Sequence, residues 1–153
     1  MAYIGAPKPP GCIFCVAAGA ADRQAGVVLA VSAHVVVMLN RYPYANGHVM
    51  VAPRQHTADL SALDAGAHAA LSETLRRSIA LLQATFRPDG MNVGLNLGAA
   101  AGAGFADHLH WHLVPRWNGD TNFMPVIAEV SCIPEHLEAM WARLVPVFSE
   151  IES

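Results

Sequence analysis

The sequence predicts an α+β fold: a mostly antiparallel sheet, one long helix and a shorter C-terminal helix. Three observations carry this. Short β-branched apolar runs cluster ahead of residue 54, two more strand-like runs follow the long helical periodicity, and a second helical pattern closes the chain. A parallel sheet would need helical crossovers between its strands, and only one connection is long enough to supply one.

The elements follow in order. Residues 1–11 hold several prolines and glycines and read as a loose N-terminal arm. Val27–Val31 and His34–Leu39 are β-branched and apolar, separated by a weak turn at Ser32-Ala33, so they form two strands or one bent strand. From Asn40 to Gly47 the chain turns, marked by Pro43 and the Asn46-Gly47 pair. His48–Ala52 returns as a strand and ends at Pro53. Ser61 to Phe86 reads as the long helix, with Ser61 and Asp64 as a capping pair. Leu63, Leu71, Leu75, Ile79, Leu82 and Phe86 recur at helical spacing and form one apolar stripe, with Arg76 and Arg77 off it. Pro88-Asp89-Gly90 stops the helix, and Met91–Leu97 is a strand leading to a Gly/Ala loop over 98–106. His108 to Val114 alternates strictly, as a strand does. Pro134 opens the last helix, which shows Leu137, Met140, Trp141 and Leu144 on one side and is kinked or ended by Pro146.

A chain of 153 residues fits one domain spanning 1–153, with 118–153 as a C-terminal extension. Apolar residues make up 54 % and charged residues only 14 %, so the chain is not disordered and buries much of its surface in a core or in an oligomer. No apolar stretch approaches the roughly 18 residues of a spanning helix, which excludes a membrane partner. The N-terminus lacks a basic region followed by an apolar one, so a cytoplasmic location is expected. A net charge of −3 argues against a nucleic-acid surface but leaves room for a small nucleotide. Three cysteines cannot close a set of intrachain disulfides, and Cys12-x-x-Cys15 in a cytoplasmic chain reads as metal or redox chemistry. No βαβ pattern surrounds it, which weighs against a thioredoxin-like motif. Cys132 has no evident partner and reads as a small core residue.

The strongest signal is His108-Leu109-His110-Trp111-His112-Leu113-Val114-Pro115. In a strand, His108, His110 and His112 share one face at spacings of about 6.5–7 Å, while Leu109, Trp111 and Leu113 face a core. Three aligned imidazoles pack poorly but can attack, donate to or coordinate a ligand. The Gly-rich stretch from Gly98 to Gly104 just upstream lets backbone N–H groups approach an anion. Loop and histidines together point to a phosphate site.

The His-x-His-x-His run closely resembles the motif of the histidine triad (HIT) superfamily of nucleotide hydrolases and transferases. The resemblance covers most of residues 12–117. It includes Asn40-Arg41-x-Pro43, Gly47-His48-Val49-Met50-Val51-x-Pro53 and Asn96-Leu97-Gly98. The stretch from Gly94 through the triad to the Trp117–Phe123 extension resembles the bacterial diadenosine tetraphosphate phosphorylase-like branch. The resemblance implies a HIT-like fold and a set of roles. His110 would attack an α-phosphate and form a nucleotidyl-histidine, His112 would contact phosphate and assist the leaving group, and His48 would support the nucleophile. Asn40 would bind the ribose hydroxyls, while Asn96 with the backbone of Gly102, Ala103 and Gly104 would hold phosphate oxygens. Asn46, beside Gly47, keeps a turn role.

Many hydrolytic members carry Gln four residues before the first triad histidine, where this chain has Gly104. That departure favours inorganic phosphate over water as the second-step acceptor. A subset of the family also holds a structural zinc, which places Cys12, Cys15, His56 and His108 as its ligands. His34, His68 and His136 match no motif position. The expected activity is therefore nucleotidyl transfer on nucleoside phosphoanhydrides, as phosphorolysis of diadenosine tetraphosphate. The alternative is hydrolysis of dinucleoside polyphosphates, adenylate esters or phosphoramidates with the same His110. The expected partners are a nucleotide, inorganic phosphate and a second copy in a homodimer, with no organic cofactor.

Overall fold

The computed structural model describes residues 11–120 and 135–152. Most of the N-terminal arm, Phe123, Cys132 and Pro134 lie outside the described residues. The element order is α1 (Ile13–Ala18), β1 (Val28–Val31), β2 (Val35–Leu39), β3 (Val49–Pro53), α2 (Ala65–Phe86), β4 (Gly90–Leu95), β5 (Trp111–Arg116) and α3 (Leu137–Phe148). The strands form one five-stranded sheet in the order β1-β2-β3-β5-β4, with every neighbouring pair antiparallel. This is the α+β architecture expected from the sequence.

β2 and β3 are buried at every position, so both faces of the central sheet are covered. Such strands read as continuous apolar runs rather than as alternating ones. α2 packs against β2, β3 and β5, α3 packs against β1 and α2, and α1 packs against β2. Leu71 and Leu82 of α2 and Met140, Leu144 and Phe148 of α3 fill the core. Trp141 closes onto β1 through an indole N–H donated to the Val28 carbonyl at 2.9 Å.

Several boundaries differ from expectation. The long helix starts at Ala65, not Ser61, because the Asp64 carboxylate accepts the Ala67 N–H at 2.8 Å and makes Asp64 the N-cap. Residues Leu60–Ala62 form a separate 3-10 turn capped by Asp59, and extended Leu63 interrupts the two. β4 ends at Leu95 rather than Leu97. β5 begins at Trp111, so His108 and His110 precede the ladder instead of lying within it. Pro146 sits inside α3 without ending it; the helix stops at Phe148, so the missing proline N–H costs a single bond in the last turn.

α1 was not foreshadowed by periodicity. It is six residues long, has no side-chain cap, and is held by burial of Phe14 and Ala17. The β2–β3 turn depends on Gly47, whose φ is +73° and where a Cβ would come within 2.8 Å of the Phe86 ring. Glycine alone meets both demands, which fixes the loop that delivers His48 against the end of α2. Among the described residues no helix is long and apolar enough to cross a membrane.

Candidate functional site

The histidines expected to act together do converge. His48 Nε2 lies 2.9 Å from His112 Nδ1, and the His110 and His112 rings are 5.0 Å apart in an edge-on arrangement. In the β3–β5 register Met50 faces His112, two residues along from His48, so both imidazoles emerge on one face of the sheet. His48, His108 and His110 are buried and His112 is half-buried, so the triad is not a solvated polar row.

Main-chain partners assign the ring protons. The Tyr44 N–H donates to His48 Nδ1 at 3.1 Å, so that nitrogen holds a lone pair and the proton sits on Nε2. His48 Nε2–H then donates to His112 Nδ1, which leaves His112 with an N–H at Nε2. His110 Nδ1 lies 2.9 Å from the His108 carbonyl oxygen, a pure acceptor, so Nδ1 carries the proton and Nε2 the lone pair. Phe14 stacks on His110 with centroids 4.8 Å apart and holds the ring's plane. The pair is thus complementary: a nucleophilic nitrogen on His110 and a donor on His112.

Electrostatics keep these rings neutral. Burial first, then the neighbouring His112 and His110, push His48 down to about 3. Burial and His110 bring His112 down to about 4. Burial also lowers His110, against the opposing hydrogen bond from its ring to the His108 carbonyl.

The second cluster joins Cys12, Cys15, His56 and His108, whose ligand atoms all lie within 4.8 Å of one another. Cys12 Sγ is 3.1 Å from His108 Nδ1, Cys15 Sγ is 3.3 Å from His56 Nδ1, and the two Nδ1 atoms are 3.1 Å apart. Tetrahedral coordination by sulfur and nitrogen puts neighbouring ligand atoms about 3.3–3.8 Å apart, so this arrangement fits a cation at its centre. The other His108 nitrogen, Nε2, donates to the Pro53 carbonyl at 2.8 Å, which leaves Nδ1 free to ligate. The four residues could therefore hold a metal ion. The same His108 offers its carbonyl to His110, so the cluster and the triad share one residue.

The expected phosphate and ribose contacts are placed less simply. Asn96 lies against the Gly-rich loop, with its Nδ2 3.7 Å from where a Gly102 Cβ would be. The Gly102 and Ala103 N–H groups bond to the carbonyls of Ala99 and Gly98 inside the loop, so here the loop closes on itself. Asn40 Oδ1 accepts the Tyr42 N–H at 2.9 Å, a turn contact that occupies its oxygen. Asn40 also lines a cavity of about 260 Å³ with Asn46, His48 and the start of α3; this cavity stops short of His110 and His112. Asn46 Oδ1, given a turn role from sequence, is buried there without a hydrogen-bond partner.

Sequence reasoning passed over three groups that shape the site: Phe14, Tyr44 and the Pro53 carbonyl. Two act through the main chain, which a residue pattern does not display. Phe14 lay within the C-x-x-C spacing, where its apolar character was the available signal.

Comparison with known proteins bears on this site. Residues 23–119 match the HIT domain. The chain is 42 % identical over 127 residues to a Mycobacterium tuberculosis protein named AP-4-A phosphorylase, covering 78 % of this chain and 65 % of that protein. It thus spans about two-thirds of that relative's length. It is 34 % identical over 117 residues to an uncharacterized HIT-like protein of Mycoplasma genitalium, covering 73 % and 77 % of the two chains. Among solved structures, a hypothetical histidine triad nucleotide-binding protein from Sulfolobus tokodaii strain7 superposes with a TM-score of 0.71 at 23 % identity over 92 % of this chain and 93 % of that one. A zinc-bound histidine triad family protein from Mycobacterium smegmatis gives 0.69 at 23 % identity over 92 % and 95 %.

Proposed function

The chain belongs to the histidine triad family, and from that we propose that it is a nucleotidyltransferase that phosphorolyses dinucleoside polyphosphates through a covalent nucleotidyl-histidine. The observation that carries this is the His110 hydrogen bond. Its Nδ1–H is held by the His108 carbonyl, so Nε2 is the nitrogen available to attack. The 42 % identity to a protein named AP-4-A phosphorylase supports the choice of substrate.

In the first step His110 Nε2 forms a bond to the α-phosphorus of one nucleoside, and the bond from that phosphorus to the bridging oxygen breaks. The electron pair leaves on the oxygen of the departing nucleotide, which the neutral His112 stabilises by hydrogen bonding from Nε2–H. His110 then carries phosphorus on Nε2 and a proton on Nδ1, and the His108 carbonyl offsets the positive charge of that ring. In the second step an oxygen of inorganic phosphate attacks the same phosphorus, and the phosphorus–nitrogen bond breaks. For diadenosine tetraphosphate the products are ATP and then ADP. Asn96 and the loop around Gly102, Ala103 and Gly104 border the phosphates. Their N–H groups become available if the loop opens from its closed hydrogen bonds on binding. Asn40 contributes its amide to the ribose.

Zinc is the ion whose coordination fits two thiolates and two imidazoles. Bound there, it would fix α1 to the segment leading into β5 and supply no step of the chemistry. Reduced thiolate ligands suit a cytoplasmic location. Two copies pairing at the β4 edge would account for an exposed apolar strand in a chain of low charge.

The deciding experiment is product analysis of diadenosine tetraphosphate with and without millimolar phosphate. ATP plus ADP, at a rate that rises with phosphate, is the expected result. ATP plus AMP at a rate indifferent to phosphate overturns phosphorolysis in favour of hydrolysis.

A further inference from the structure

Tyr44 is a large aromatic residue left 69 % exposed beside the reacting groups. Its ring centroid is 4.8 Å from that of His48 at 34°, and 6.0 Å from that of His112 at 33°. One face of the phenol therefore leans on the His48–His112 pair, and the other faces water. Its main-chain N–H sets the His48 tautomer, but that role needs no side chain at all. An aromatic ring held by its loop and open on one face is a stacking platform that has no second partner among the described residues.

Position says which partner. The nucleophile is His110, whose ring stacks on Phe14, while Tyr44 neighbours His112 and His48. His112 bears the N–H that meets the departing oxygen. Tyr44 thus lies on the flank through which the leaving nucleotide passes. That nucleotide ends in a purine or pyrimidine base, and its flexible phosphate chain lets the base fold back onto the protein surface.

We infer that the open face of Tyr44 stacks on the base of the leaving nucleoside and so selects substrates with two bases over those with one. This rests on the phosphorolysis reading for the identity of the leaving flank. The ring contributes binding, and the backbone beneath it contributes proton placement.

The test compares diadenosine tetraphosphate with adenosine 5′-tetraphosphate, which keeps the phosphate chain and lacks the second nucleoside. The single-base compound is followed as a substrate or, where it is not turned over, as a competitive inhibitor. In Tyr44→Ala the KM for the two-base substrate should rise about tenfold relative to the constant for the single-base compound. Tyr44→Phe should stay within about twofold of the wild type, and Tyr44→Trp should match or exceed it. Equal weakening of both ligands, or a fall in kcat alone, would show that the ring merely shields the histidine pair and would overturn the inference. So would a Tyr44→Phe loss as large as that of Tyr44→Ala. A wild type that leaves diadenosine tetraphosphate intact refutes the proposed reaction instead. Equilibrium titration of the same two compounds onto wild type and Tyr44→Ala then still tests Tyr44, since a selective loss for the two-base ligand supports stacking and an equal affinity change refutes it.

Discussion

Main-chain atoms of Tyr44, His108 and Pro53 set the protons of His48, His110 and His108, and His48 passes its setting on to His112. The Tyr44 N–H points His48 and, through it, His112; the His108 and Pro53 carbonyls do the same for His110 and His108. Apart from His48, whose ring orients His112, mutating a neighbouring side chain will not switch these tautomers. His110→Ala should lower turnover at least about a thousandfold while nucleotide binding persists, measured by single-turnover kinetics and by titration. Near-normal turnover in that variant would displace His110 as nucleophile. The lowered pKa values of His48, at about 3, and His112, at about 4, also have a sign. Between those values and the ordinary histidine pKa of about 6.5 the unfolded chain binds protons that the folded chain does not. Stability from these two groups is therefore complete above about pH 6.5 and is lost as pH falls toward 4. Melting temperatures of wild type and His48→Gln across pH 4.5–7.5 check this: the variant should show the shallower fall on acidification, and identical slopes would contradict it.

Elements in this protein are short, and tertiary ties do much of what local propensity does not. α1 has six residues and no side-chain cap, so it depends on Phe14 and Ala17 in the core and on the sulfurs of Cys12 and Cys15 reaching His108 and His56. Purified without chelator, the protein should carry about one zinc per chain, and Cys15→Ser should lose the metal and melt several degrees lower. Elemental analysis of the wild type that finds no metal would remove the zinc proposal and leave the triad geometry standing. α2 is the opposite case, with 22 residues and a side-chain cap. Asp64→Ala should cost about 1 kcal/mol in urea unfolding, whereas Ser61→Ala, outside the helix, should cost less. The same contrast explains what was legible. The Asn46-Gly47 turn, the strands around it and the long helix are written in local pattern. α1 is not, because its reason lies in the core and in residues far along the chain. The true start of α2 was ambiguous because Ser61 and Asp64 are both acceptable caps and extended Leu63 decides between them.

The site draws on segments far apart in the sequence: Cys12 meets His108 across 96 residues and His48 meets His112 across 64. The histidines themselves were legible from spacing and resemblance, since a His-x-His-x-His run displays its chemistry openly. The ring protons were not, because they depend on carbonyls and N–H groups brought in by the sheet. The ends of that sheet are also treated differently. β1 is covered by α3 and by the C-terminal turn Ser149–Glu152, and the Val31 N–H donates to the Glu152 carboxylate at 3.0 Å. Among the described residues β4, at the other end, pairs only with β5, and Val93 is 46 % exposed with Leu97 just beyond it at 54 %. An open strand edge bearing apolar side chains recruits another strand unless charge or cover prevents it. The homodimer proposed above would place the β4 of a second copy against this edge. Light scattering during gel filtration should therefore give a mass of two chains for the wild type. Val93→Arg places a charge at the centre of that edge and should shift the mass toward one chain with an unchanged circular dichroism spectrum. A single-chain mass for the wild type, or a Val93→Arg variant that stays paired, would rule out the β4 edge as the contact.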